Sequence, residues 1–139
     1  MDNNATSLNH IAIAVTDMDA ALAFYRDVLG LRLDRIEEVQ AEKSKVAFLP
    51  LGNSEIELVQ PTADDTGVAK WLAKHGPGMH HVAIQVTDIA AAMERLKLNQ
   101  VELINLVPRS KADGTLYAFI HPRSAFGVLI ELYQVAPCS

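Results

Sequence analysis

The amino-acid sequence predicts an α+β fold built from two tandem βαβββ modules, and three observations carry that prediction. A strand-like phrase occurs twice: His10-Ile11-Ala12-Ile13-Ala14-Val15-Thr16-Asp17-Met18 returns 71 residues later as His81-Val82-Ala83-Ile84-Gln85-Val86-Thr87-Asp88-Ile89, with only conservative changes except Ala14 to Gln85. Each copy leads into a segment of helical period. Each helix is then followed by three short strand-like segments, and the last of these share Ile-Glu-Leu, aligning Glu57 with Glu131.

Taken in order, the first strand alternates around His10 and ends at Thr16-Asp17, capping chemistry for a helix. That helix is expected from Met18 to Leu29, with Met18, Leu22, Tyr25 and Leu29 on one apolar face and Gly30 as its left-handed stop. Strands are expected over 31–39, 45–51 and 55–59, with a Gly52-Asn53 turn between the last two. A helical stretch, Thr66 to Lys74, ends at Gly76-Pro77-Gly78 and joins the halves. The second module repeats the plan, with a helix over 89–98 stopped at Asn99 and strands over 101–107, 115–121 and 127–134. The whole is expected to be a single domain over 1–139, with module one at about 8–62, a linker helix at about 64–75 and module two at about 79–134.

Composition fits a globular chain of 139 residues, half of them hydrophobic and 21% charged. A net charge of −5 gives no sequence-wide basic footprint, so a nucleic-acid partner is not expected and any anionic ligand must find a local basic patch. No basic n-region or membrane-length apolar run is present, and the default expectation is a cytoplasmic protein with no membrane partner. A lone cysteine, Cys138, excludes an internal disulfide framework, suits a reducing compartment and has no neighbouring charge that marks it as a nucleophile.

Side chains alternate across a strand, so His10, Ala12 and Ala14 share one face while Ile11, Ile13 and Val15 share the other. The isoleucine face is expected to pack on the helix. His81, Ala83 and Gln85 repeat the histidine face, which assigns the inward role to His81 rather than His80. Glu57 and Glu131 each stand opposite in parity to flanking core-type residues. If the modules pair by pseudo-twofold symmetry, His10, Glu57, His81 and Glu131 converge in one cleft, and two imidazoles with two carboxylates suit a divalent transition metal, Co2+, Ni2+, Mn2+ or Zn2+. The remaining histidines lack this recurrence: His75 reads as helix-end capping, and His80 and His121 as structural or rim residues.

Tandem βαβββ modules with a metal ligand on the first and last strand of each resemble the vicinal oxygen chelate (glyoxalase-like) superfamily, whose members include glyoxalase I, extradiol dioxygenases and methylmalonyl-CoA epimerases. The resemblance covers about residues 8–134, and it implies a curved mixed sheet around a metal cleft. The phrases LNHIAIAVTDMDAALAFYRDVLGL, VAFLPLGNSEIELVQP, AKWLAKHGPGMHHVAIQV and FIHPRSAFGVLIEL look in order like segments of the epimerases. The last two are the more specific, since glyoxalase I usually has an acidic turn where this chain has His121-Pro122-Arg123-Ser124. Carried over, the likeness implies metal ligands at His10, Glu57, His81 and Glu131, a homodimer, and metal-dependent epimerisation of (2R)/(2S)-methylmalonyl-CoA by 1,1-proton transfer through a metal-stabilised enolate. One departure stands out: some bacterial epimerases carry a second catalytic glutamate where this chain has Val46.

Such a reaction needs acid–base groups for both faces of the α-carbon. Glu131 is the first candidate and Glu57 the pseudo-symmetric second, with Glu37, Glu38 and Glu42 as further acids nearby. An acyl-CoA partner brings phosphates, for which Arg109, Lys111 and Arg123 are the candidate contacts. The rival readings are a lactoylglutathione lyase of the glyoxalase I type, which uses the same ligand types, and a non-catalytic drug-binding protein of the same fold.

Overall fold

The computed structural model describes residues 5–137, so the expectations for Cys138 lie outside the described residues. The chain divides into two compact units, His10–His80 and a second made of Met1–Asn9 with His81–Ser139. The units follow the two repeats except at the start, where the chain before His10 groups with the second.

In the first unit, β1 (Ala5–Ala14, from His10 on), β2 (Arg35–Val39), β3 (Ser44–Leu51) and β4 (Ser54–Pro61) lie in the order β2-β3-β4-β1. The β1–β4 pair is parallel and the others are antiparallel. The second unit contains β5 (Gly78–Val86), β6 (Arg109–Ser110), β7 (Leu116–Ile120) and β8 (Ile130–Gln134) in the order β5-β8-β7-β6, again with one parallel pair, β5–β8. The strand pairing within each unit is therefore mixed, as the repeated plan requires: a helix crosses between the first strand and its parallel partner.

Helix α1 (Met18–Leu22) starts where Asp17 Oδ1 accepts from Ala20 N–H at 3.2 Å, and α3 (Ile89–Leu98) where Asp88 Oδ1 accepts from Ala91 N–H at 3.1 Å. A second cap recurs with them. Gln60 Oε1 accepts from Met18 N–H and Gln134 Oε1 from Ile89 N–H, both at 2.7 Å, so the end of each last strand ties down the start of its own helix. Helix α2 (Gly67–His75) is capped by the Thr66 hydroxyl, which accepts from Ala69 N–H at 3.1 Å.

Each unit has its own core. Met18 and Leu22 pack with Val15, Ala47, Leu49 and Leu58, joined by Ile13, so the isoleucine face of β1 does meet the helix. Val86, Ile89, Ala92, Met93, Leu103, Ala118, Ile120 and Leu132 do the same in the second unit. Leu58 is fully buried. Leu58→Ala is expected to cost about 2–5 kcal/mol through lost burial and a residual cavity, read as a lower urea midpoint at unchanged slope; a loss under about 1 kcal/mol would show that the site collapses around the deletion.

Several expected elements differ, among them the strand expected over 127–134, which begins only at Ile130. The first helix continues past Leu22 as a π-helical stretch, Ala23–Val28, with Leu29 N–H donating to Phe24 O at 2.7 Å. The wider winding carries Leu29 off the apolar face, leaving it 55% exposed. The strand expected over 31–39 begins only at Arg35. Asn99 is not left-handed: its side chain donates to Arg95 O at 2.8 Å, and Gln100 takes the positive φ of 63° instead. The strand expected over 101–107 reduces to a bridge between Leu103 and Ile120, because Asn105 Oδ1 takes Phe119 N–H at 2.8 Å and so replaces a ladder bond with a side chain.

Candidate metal and substrate site

Parity and register place the expected ligands in two matching pairs. In the first unit Ala12 lies beside Glu57, and Phe48 lies across from Glu57 on the other flank. In the second unit Ala83 lies beside Glu131, with Phe119 across from it. His10 Nδ1 stands 3.2 Å from Glu57 Oε2, and His81 Nε2 stands 3.2 Å from Glu131 Oε1. His10 and Glu131 are almost wholly buried, at 2% and 4% exposure. The small side chains beside the histidines, Ala12, Ala14 and Ala83, are buried completely.

The donors of each pair are spaced as ligands of a divalent ion would be. Two donors at about 2.1 Å from one metal are about 3.0 Å apart along an octahedral edge and about 3.4 Å along a tetrahedral one, and both nitrogen–oxygen spacings fall between. A plain imidazole–carboxylate hydrogen bond has a similar length, so the weight rests on recurrence: the same residue types meet at the same spacing in the same register twice. Burying a carboxylate is costly without a positive partner, and Glu131 is the more buried of the two acids.

The phenylalanines were missed by sequence reasoning. Phe119 meets the His81 ring edge-to-face, with centroids 5.6 Å apart, and so fixes the imidazole that faces Glu131. Phe48 carries the Arg35 guanidinium at 3.9 Å from its centroid. The signal was present, since Val46-Ala47-Phe48-Leu49 and Tyr117-Ala118-Phe119-Ile120 recur at the same offset of 71 as the histidine strands.

Beside the ligands the two faces diverge. The next cross-strand pair is Val46 with Val59 in the first unit and Tyr117 with Tyr133 in the second. Glu37 lies opposite Val46 and therefore on its face, exposed, with Arg35 Nε donating to its Oε1 at 2.7 Å. Glu37 and Asp34 together hold the Arg35 guanidinium above its ordinary pKa. Glu38 pairs across from Lys45, and Glu42 sits in a 3₁₀ turn.

The three expected phosphate contacts stand apart in character. Arg109 is exposed and lies opposite Tyr117, on the ligand-bearing face. Lys111 is partly buried, with Nζ donating to the Tyr133 hydroxyl at 3.2 Å. Arg123 is 73% exposed in a 3₁₀ turn, 3.5 Å from Glu102. The other histidines have structural work: His75 Nδ1 lies 3.1 Å from Trp71 O at the end of α2, His80 meets the Trp71 ring edge-on, and His121 Nδ1 accepts from Arg123 N–H at 2.9 Å.

Residues 9–119 match the family profile described as Glyoxalase/Bleomycin resistance protein/Dioxygenase superfamily, and the chain belongs to that superfamily. It is 38% identical over 128 residues to the mitochondrial methylmalonyl-CoA epimerase of Mus musculus, covering 91% of this chain and 72% of the relative. It is also 38% identical to the ethylmalonyl-CoA/methylmalonyl-CoA epimerase of Cereibacter sphaeroides, covering 92% and 97%. Among solved structures, a variant of the Streptomyces coelicolor methylmalonyl-CoA epimerase in complex with 2-nitronate-propionyl-CoA superposes with a TM-score of 0.87 at 33% identity, covering 97% and 98%. Within the superfamily the chain thus belongs with the methylmalonyl-CoA epimerases, a family of isomerases.

Proposed function

We propose that the protein interconverts the 2R and 2S forms of methylmalonyl-CoA by removing the α-proton and returning it to the opposite face, and that His10, Glu57, His81 and Glu131 hold one divalent ion for this purpose. The observation that carries the reading is the duplicated His–Glu pair, set in equivalent register in a chain whose relatives are methylmalonyl-CoA epimerases. A thioester ligand also occupies the Streptomyces relative. When bound, the ion would act as a Lewis acid toward the thioester and carboxylate oxygens, contributing on the order of several kcal/mol to the transition state.

The chain's own residues supply the proton transfers. Glu131 takes the α-proton on one side, since its carboxylate is fixed by His81 and shielded from water. Glu57, its counterpart, returns a proton on the other. His10 and His81 orient these carboxylates, and Phe119 limits rotation of the His81 ring. The exposed Arg109 and Arg123 are placed to meet the phosphates of coenzyme A.

The test is proton NMR of 2-methylmalonyl-CoA in deuterium oxide with metal-loaded protein, following the α-proton against metal-free and protein-free controls. Fast, metal-dependent loss of that signal is the expected result. Exchange no faster than in the controls would sink the epimerase reading and favour a lyase acting on glutathione hemithioacetals or a binding protein without turnover.

A further inference from the structure

The two half-sites match at their ligands, but the cationic groups beside them differ: in the first unit Arg35 lies over Phe48 with its guanidinium bonded to Glu37 and Asp34, whereas in the second a lysine stands on a tyrosine pair. Lys111 Nζ donates to the Tyr133 hydroxyl at 3.2 Å and also lies 4.9 Å from the Tyr133 ring centroid and 5.7 Å from that of Tyr117. The corresponding positions in the first unit are Val59 and Val46, and the neighbour there is the acid Glu37. Lys111 is held in place by its turn: its N–H donates to Thr115 O at 2.8 Å, Gly114 N–H donates to Lys111 O at 3.0 Å, and Asp113 Oδ1 accepts from Thr115 N–H at 2.9 Å. The Thr115 backbone N–H holds the Asp113 carboxyl below its usual pKa range. Gly114 is required there, with a φ of 90° and only 3.3 Å between an added Cβ and that of Ala136.

Tyr133 is two residues beyond Glu131 on β8 and shares its face. Two residues of strand span about 6.7 Å, so an anion seated on the Lys111–Tyr133 pair lies close to a carbon whose proton Glu131 could reach. The phosphates of coenzyme A are a full pantetheine arm away from that carbon. The acyl group's own carboxylate is bonded directly to it. We propose that Lys111 and the Tyr133 hydroxyl bind the free carboxylate of the acyl group, which makes them selectors for 2-carboxyacyl thioesters rather than phosphate contacts. A phenol that accepts a bond from an ammonium donates its own proton onward, and a carboxylate accepts from both donors.

The inference rests on the epimerase reading, and its test separates the two. Calorimetric affinities for methylmalonyl-CoA and for propionyl-CoA, which lacks only the carboxylate, are compared in the wild type, Lys111→Met, Tyr133→Phe and Lys111→Arg, with circular dichroism confirming the fold. Lys111→Met is expected to weaken methylmalonyl-CoA about tenfold to a hundredfold and leave propionyl-CoA unchanged. Tyr133→Phe, which keeps the ring, should give a smaller loss of the same selectivity, and Lys111→Arg should restore part of it. Equal weakening of both thioesters would return Lys111 to the coenzyme and overturn the inference, as would no change in either. A wild type that binds neither thioester would refute the epimerase reading itself, and this inference with it.

Discussion

Replacing Glu131 by Gln is expected to slow α-proton exchange by about a hundredfold to ten-thousandfold, the range that a positioned acid–base group contributes. The substitution keeps the side chain's size and one oxygen to face His81, so the register of β8 with β5 and the packing of Leu132 should persist. What it removes is the carboxylate's capacity to take a proton. Exchange is read by NMR and bound metal by mass spectrometry in the same samples; near-normal exchange with metal still bound would remove Glu131 from the catalytic role. Glu57→Gln then assigns the second group. If Glu57 serves the opposite face, that variant exchanges the proton of one enantiomer and fails to interconvert the pair. Interconversion at the wild-type rate would instead direct attention to Glu37, which lies across from Val46 on the same face.

The repeat was legible because it is written in side chains that alternate. Two identities, His10 with His81 and Glu57 with Glu131, survive in strands where a slip of one residue would turn each of them to the other face. Register therefore preserves them, and the sequence alone suffices to pair them. The phenylalanines escaped notice although they recur at the same offset, because an aromatic residue in a strand ordinarily signals only core. Gln60 and Gln134 escaped because a cap supplied by another strand is not local: Met18 and Gln60 are 42 residues apart, and Ile89 and Gln134 are 45 apart. The misplaced ends have two physical origins. Leu29, Asn99 and the stretch 101–107 are positions where a side-chain bond or a wider helical turn displaces the regular ladder, and hydrophobic period carries no trace of either.

Metal stoichiometry offers the second large effect. Each imidazole–carboxylate pair could in principle hold an ion of its own, but two protein donors bind a divalent ion far more weakly than four, and the duplication is best accounted for if both pairs serve one ion. The wild type is accordingly expected to bind one equivalent per chain. At a hundred times the dissociation constant, binding adds about 2.7 kcal/mol to stability, a rise in Tm on the order of 10 °C for a chain of this size. His10→Ala and His81→Ala should each abolish that rise and the bound metal, although the two residues stand on different strands and each leaves the other pair untouched. Exchange should fall by at least about a hundredfold in both, since the loss of several kcal/mol of charge stabilisation is worth about tenfold per 1.36 kcal/mol. Two equivalents in the wild type, with each variant losing only one, would mean that the pairs act separately, and the reason for writing the same strand twice would then have to be sought in folding rather than in chemistry.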